Sequence, residues 1–385
     1  MRISEIINSI ETSWIEEFFD SLSDKREIIN LGIGEPDFGV PEEVKKIACS
    51  AIAEGKNRYT PTAGLRELRE LIAEKYGSWW NVDLDYSNVI LTPGASNALF
   101  MIIASLVKTG DEVIIPSPSY PSYEAIVRIV GGKPVEIPTV LEEDFKPKIE
   151  EINECITQRT RLIIVNTPTN PTGYVYDEEL LNSLVDLASE KDIYILSDEV
   201  YEKFVYDGEF TSCNKFRTKF DKIITVHSFS KTYGMTGWRL GFAIGDKSLI
   251  KYVIKLQTYM NACPPSTAQY AVLHSLSSPY VAEVVKLNIN SYRTRRDLIY
   301  DLLKRRGFSV SLPRGAFYIF PRIPLRVNSY EFCKKLLMSQ GVVVMPGKAF
   351  GSGGEGHFRI TFAVSPKLLI QAIELIEKFV SYYNQ

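Results

Sequence analysis

Between residues 89 and 258 the chain repeats one pattern, a short and nearly continuous apolar run followed by a longer stretch with helical periodicity. The runs VILTP, EVIIP, KPVEIP, RLIIVN, IYILSDE, IITVHS and RLGFAIG alternate with SNALFMIIASLV, YEAIVRIV, EELLNSLVDLASE and KSLIKYVIKL. Strands without polar positions are covered on both faces, so this alternation predicts an α/β fold: a mostly parallel, seven-stranded sheet sandwiched by helices. After about residue 280 the pattern changes. A long polar helix around VAEVVKLNINSYRTRRDLIYDLLKRRG leads to short strands FSVSL, AFYIF, VVVMPG and FRITFA, with helices over YEFCKKLLMSQ and LLIQAIELIEKFVSYY. These predict a smaller α+β domain of residues 285–385 joined by 1–45, beside a large α/β domain over 46–284.

Composition narrows the choice of function. A chain of 385 residues exceeds one ordinary core, in line with two domains. A net charge of −3 with both signs interspersed gives no electrostatic footprint for nucleic acid. The opening MRISEIINSIETSWIEEFF carries five charged side chains and lacks the apolar core of a signal peptide. The longest apolar run, Ala98 to Val107, falls short of the roughly 20 residues that cross a bilayer. Five scattered cysteines (Cys49, Cys155, Cys213, Cys263, Cys333) form no CxxC pair, which disfavours a disulfide framework or zinc site and fits a reducing cytoplasm. The three histidines, His227, His274 and His357, are far apart, so no metal is expected.

Several strand ends carry chemistry. IITVHS runs into SFSKTYGMTGWRLGF, which sets Lys231 between Ser230 and Thr232 where a strand gives way to a loop, with Ser228 and Arg239 nearby. NTPTNPTG ends one strand with Asn170 in a proline-rich turn, and SDEVY ends another with Asp198 and Tyr201. LTPGASNALF puts Gly94, Ala95, Ser96 and Asn97 between a strand and a helix, where free amides and the helix dipole favour an anion. Each piece has a structural explanation: a cap for GAS, a turn for NPTG, an N-cap carboxylate for Asp198. Together they form one constellation. Two literal motifs compete. GSGGEG at 351–356 has the letters of a dinucleotide loop, but a strand follows it where a helix is needed. Ser228 and Lys231 fit S-x-x-K, yet the S-D-N and K-T-G partners of serine hydrolases are incomplete.

The constellation resembles the class I/II branch of the fold-type I aminotransferases that use pyridoxal 5′-phosphate. IGEPDF, YTPTAGLRELR, PSYPSY, NPTG, SDEVY, SFSKTYGMTGWRLG and FRITFA carry the resemblance over essentially the whole chain. It implies that Lys231 is the Schiff-base lysine, Asp198 the partner of the pyridine nitrogen, and Asn170 and Tyr201 donors to the phenolic oxygen. It also implies Tyr120 stacked on the ring, Ala95, Ser96, Ser228 and Arg239 on the phosphate, and Tyr59 reaching in from a second subunit. Arg359, helped by the backbone at Gly34, would take the substrate α-carboxylate. A homodimer acting on amino acids and 2-oxo acids follows.

The chemistry justifies these residue types. Acidifying the Cα–H of an amino acid needs a protonated pyridine nitrogen, which a neighbouring carboxylate favours. A neutral lysine serves as nucleophile and general base, and a planar guanidinium grips a carboxylate bidentately. Transamination to 2-oxoglutarate is the expected reaction; C–S lyases and other eliminations on the same scaffold are the alternative, an S-x-x-K hydrolase a remote one. With about 30 residues before IGEPDF, a fused DNA-binding regulator is not expected. Relatives that prefer aspartate commonly carry a lysine in the phosphate loop and a tryptophan over the ring. Ser96 and Tyr120 stand there instead, which favours aromatic, branched or alanine-type donors over strict aspartate specificity.

Overall fold

The computed structural model describes residues 28–383, together with Ile7. Its central sheet takes strands β2 (Val89–Thr92), β3 (Glu112–Ser117), β4 (Lys133–Pro138), β5 (Thr160–Asn166), β6 (Tyr194–Asp198), β7 (Ile223–Ser228) and β8 (Gly241–Ile244) in the order β2-β8-β7-β6-β5-β3-β4. Neighbours from β7 to β4 pair in parallel, and β8 runs antiparallel to both β7 and β2. The mostly parallel seven-stranded α/β sheet expected from the apolar runs is therefore present. Its inner strands are buried on both faces, as their lack of polar alternation requires. Val113, Leu162 and Leu196 face a core shared with helices Ala95–Leu106, Ser122–Ile129 and Lys247–Met260, whereas Ile114, Ile163 and Ile195 face helix Glu178–Glu190. Asp177 and Asp246 cap the helices Glu178–Glu190 and Lys247–Met260 with side-chain oxygens, satisfying amides that the first turn leaves free.

A second core gathers Leu31, residues from Tyr201 to Tyr206, and the chain from Tyr292 to Val380. It is built by β1 (Ile29–Asn30), β9 (Tyr318–Ile319), β10 (Val342–Val343), β11 (Met345–Pro346) and β12 (Phe358–Thr361), with helices Pro279–Arg305, Ser329–Gln340 and Pro366–Tyr383. β11, β12 and β9 form an antiparallel sheet, and β1 pairs in parallel with β10, so the described part of the N-terminal segment is tied to the C-terminal one. Helix Glu42–Ala53 packs instead on Ser266–Ser275 and the core of the central sheet. Residues 1–27, apart from Ile7, lie outside the described part.

Two expected strands differ. FSVSL forms none: Phe308 and Val310 are buried, but the segment meets its neighbour through one backbone bond, Arg322 N–H to Ser309 O at 2.9 Å. Apolar alternation buried those side chains without supplying a partner edge. VVVMPG splits into β10 and β11, each in a different sheet.

Candidate active site

The parallel strands deliver their C-terminal ends to one cavity. Register sets Asn166 of β5 beside Asp198 of β6, and Asp198 beside Val226 of β7. Just beyond β7 the chain forms a one-turn helix, Phe229–Thr232, capped by Ser228 Oγ, which accepts from Ser230 N–H at 3.1 Å. The lysine expected on a loop thus sits on a short helix, which fixes its direction. Gly34, Ala95, Ser96, Tyr120, Asn170, Asp198, Tyr201, Ser228, Lys231, Arg239 and Arg359 all line this cavity, with Tyr318 and Tyr123 among their neighbours. Of the residues the sequence singled out, Tyr59 stands apart: it is 88% exposed and does not line the cavity.

Lys231 Nζ donates to Gly34 O at 2.6 Å. Burial, and next the Arg359 cation, pull its ammonium down to about 8, which leaves more free, nucleophilic amine near neutral pH than an ordinary lysine has. Ser228 Oγ caps the helix and Lys231 Nζ turns to Gly34, so the two do not form the bonded pair an S-x-x-K hydrolase uses. Asp198 is raised to about 6 by burial, against which Tyr123, the Val200 amide, His227 and Lys231 all favour the charged form. Tyr201 and Tyr318 share a hydrogen bond of 2.8 Å between their hydroxyls.

Arg359, on β12, is buried. Its Nη1 donates to Asn170 Oδ1 at 2.9 Å and its Nη2 to Gly32 O, while Tyr318 and Phe350 lie under the guanidinium at 4.4 and 4.9 Å. Its Nε is buried with no partner among the described residues, a donor waiting for an acceptor. At the opposite side Gly94, at φ +80°, lets the Arg239 guanidinium approach the start of helix Ala95–Leu106; a Cβ there would stand 2.6 Å from Nη2. Amides at a helix start, a serine cap and an arginine make a cradle for a phosphate. A carboxylate, a lysine, phenolic and amide side chains complete a donor set that fits pyridoxal phosphate.

Sequence reading missed two tyrosines that line the cavity and a buried cluster outside its lining. Tyr123 and Tyr318 look like core aromatics in PSYPSY and AFYIF. Behind the sheet, Glu199, Glu202 and His227 form a buried cluster. His227 Nδ1 meets Glu202 at 3.0 Å and Nε2 meets Thr225 Oγ1 at 2.8 Å, so both ring nitrogens are satisfied by protein. Burial raises Glu199 to about 7. The GSGGEG segment is no nucleotide loop: it packs backbone to backbone on the end of β3, with Gly353 N–H on Ser117 Oγ at 3.1 Å.

Comparison with known proteins agrees with the geometry. Residues 26–376 match the family "Aminotransferase class I and II". The chain is 40% identical over 381 residues to aromatic-amino-acid aminotransferase 2 of Thermococcus litoralis and 39% identical over 381 residues to aspartate aminotransferase of Pyrococcus abyssi, covering 98% of each chain in both cases. The crystal structure of aromatic aminotransferase from Pyrococcus horikoshii OT3 superposes with a TM-score of 0.91 at 38% identity, over 95% of this chain and 99% of that one. The chain belongs to the class I and II aminotransferase family and is a pyridoxal-phosphate-dependent aminotransferase.

Proposed function

We propose that this aminotransferase takes the amino group of an aromatic or other apolar L-amino acid and passes it to 2-oxoglutarate. The observation that carries the donor class is the count of cations. Among the described residues that line the cavity only Lys231, Arg239 and Arg359 are cationic, and each has a task elsewhere in the site. Ser96 leaves no cation for a second donor carboxylate, while Tyr120, Tyr201 and Tyr318 offer aromatic walls. The relatives named for aromatic amino acids support this reading; those named for aspartate make aspartate the donor to test against it. 2-Oxoglutarate is one methylene longer than oxaloacetate, and in this reading its far carboxylate extends out of the cavity rather than to a cation within it.

In this reading Lys231 would hold the cofactor covalently, Asp198 would face its ring nitrogen, and Asn170 and Tyr201 would donate to its phenolic oxygen. Tyr120 would cover the ring; Ala95, Ser96, Ser228 and Arg239 would hold the phosphate. When bound, the cofactor supplies the electron sink that makes an amino-acid Cα–H acidic. Lys231 Nζ would be the base that takes that proton, and a pKa lowered to about 8 gives it a larger share of free amine near neutral pH than an ordinary lysine has. Arg359 offers Nε and an Nη to the α-carboxylate, and the Tyr318 ring beneath keeps the guanidinium plane fixed, which orients the Cα–H bond.

The division into a domain over 46–284 and one made of 1–45 and 285–385 belongs to the same reading, as does a homodimer. Among the described residues no helix is long and apolar enough to cross a membrane, and a cytoplasmic location is part of the proposal. The test is a donor panel with 2-oxoglutarate, followed by glutamate formation. Phenylalanine and tyrosine should exceed aspartate in kcat/KM by at least about tenfold, the lower end of what one charge-assisted contact is worth. Aspartate as the best donor would reverse the specificity reading, and 2-oxo acid released with ammonia but without glutamate would establish the lyase alternative.

A further inference from the structure

Tyr123 follows the ring-covering Tyr120 by one helical turn, in helix Ser122–Ile129, and is 1% exposed. Its hydroxyl donates to Asp198 Oδ2 at 2.6 Å. Its ring meets Tyr120 edge-on, with centroids 5.5 Å apart and planes at 82°. Asp198 is itself 3% exposed, and its carboxylate takes one further hydrogen bond among the described residues, from the Val200 amide to Oδ1 at 3.3 Å. A phenol in this position can only donate, because an ionised carboxylate offers nothing to accept from. Burial drives the phenol far above its usual titration range, so it keeps its proton at any working pH.

The consequence lies in where a shared proton rests. A carboxylate facing a pyridine nitrogen can leave the proton on the nitrogen or carry it on its own oxygen. Burial alone favours the second arrangement, since it penalises the ion. A strong donor already fixed on Oδ2 favours the first, since it bonds the carboxylate better than the acid. The Val200 amide, donating to Oδ1 at 3.3 Å, acts in the same direction.

We propose that Tyr123 is a positioning residue for the reaction, whose hydroxyl holds Asp198 as an ionised acceptor so that the proton shared with the cofactor's ring nitrogen stays on the nitrogen. This rests on Asp198 facing that nitrogen, as argued above. Through the edge contact the same residue braces Tyr120, so one side chain sets both the charge partner and the cover of the ring.

The experiment reads the nitrogen directly. The enzyme is reconstituted with pyridoxal phosphate labelled with nitrogen-15 in the ring, and the nitrogen resonance is recorded at pH 7.5. The parent should give a pyridinium resonance. Tyr123→Phe keeps the ring contact but removes the donor, shifting the proton equilibrium toward Asp198 by about 10- to 100-fold, the range for a hydrogen bond to a charged group. Its resonance should move toward neutral pyridine, with kcat falling by a similar factor and KM for the donor little changed. 3-Fluorotyrosine at position 123, a stronger donor of nearly the same size, should return the pyridinium signal even if the Phe variant is too unstable to load. An unchanged resonance in Tyr123→Phe, or a neutral-pyridine resonance with the fluorinated side chain, overturns the role of Tyr123 alone. A parent that binds the cofactor through Lys231 yet shows neutral pyridine overturns the placement of Asp198, and with it this inference.

Discussion

Asp198 has a cost before any cofactor arrives. Its carboxyl ionises at about 6 in the folded chain rather than at 3.8, chiefly because burial disfavours the charge. Between those values the folded protein keeps a proton that the unfolded chain has released. The group's contribution to stability therefore falls as pH rises from about 4 to 6 and stays at its lower level above that. The difference of the two values corresponds to roughly 3 kcal/mol. Asp198→Asn keeps an oxygen for Tyr123 and removes the charge. Without cofactor it should melt a few degrees higher than the parent at pH 7.5, with the gap closing toward pH 4, while its affinity for pyridoxal phosphate drops. Calorimetry of both cofactor-free proteins at the two pH values checks this; equal melting at pH 7.5 would remove the argument that the site strains its own fold. Lys231 and Asp198 were legible in the sequence because a charge at the end of an apolar run needs a reason, and Arg359 through the resemblance that FRITFA carries. Tyr123 and Tyr318 were not, because an aromatic in an apolar segment is explained by packing, and their hydroxyl partners lie 75 and 117 residues away in the chain.

At the scale of elements, legibility followed the physics of burial. Strands β3, β5, β6 and β7 are covered on both faces, so their sequences are continuous apolar runs that no surface helix would show. FSVSL has strand-like alternation, but alternation reports one buried side and not the presence of a pairing edge. The GSGGEG segment illustrates a different gap: its glycines serve a close approach that only coordinates reveal. A Cβ on Gly353 would stand 2.5 Å from Ser117 O and 2.8 Å from Ser117 C, backbone atoms that cannot move aside. That contact docks the segment on the end of β3, next to the Ser119 amide that donates to Phe350 O at 2.8 Å, and Phe350 lies under Arg359. Gly353→Ala should cost about 1–3 kcal/mol, the range for overpacking. It should also raise KM for the amino donor more than it lowers kcat, because Arg359 loses support. Gly39→Ala, with nothing within 4 Å of the added Cβ, is the control and should change neither. Thermal unfolding and steady-state kinetics on the pair decide whether the glycine loop matters to the site or only to the surface.

For the whole molecule, exposed apolar side chains lie in segments tied to the start of helix Ala95–Leu106. Tyr59 is 88% exposed, and Tyr252, Tyr259 and Met260 are 64%, 84% and 44% exposed along helix Lys247–Met260. Hydrogen bonds place the two segments together: Gln257 Nε2 donates to Thr62 O, and Asn261 Nδ2 to Asn97 Oδ1 at 3.1 Å, the residue after Ser96 of the phosphate cradle. An apolar ledge near a proposed phosphate cradle is where a second copy of the chain would add both burial and a further contact. The expected assembly is a two-fold dimer in which Tyr59 serves the neighbour's cofactor phosphate. Sizing alone cannot separate this from a dimer with independent sites, but hybrid dimers can. Tyr59→Ala and Lys231→Ala are each impaired as homodimers. In a hybrid of the two, a tyrosine that acts across the interface leaves one site with both defects and the other with none, since the intact Lys231 receives the intact Tyr59. A tyrosine that acts within its own subunit leaves both sites impaired. Hybrids prepared with two different tags should therefore show about half the parental kcat per dimer and the parental affinity for pyridoxal phosphate at the loaded site. Hybrid activity no greater than half that of the Tyr59→Ala homodimer would place Tyr59 outside the neighbour's site and leave the ledge as ordinary surface.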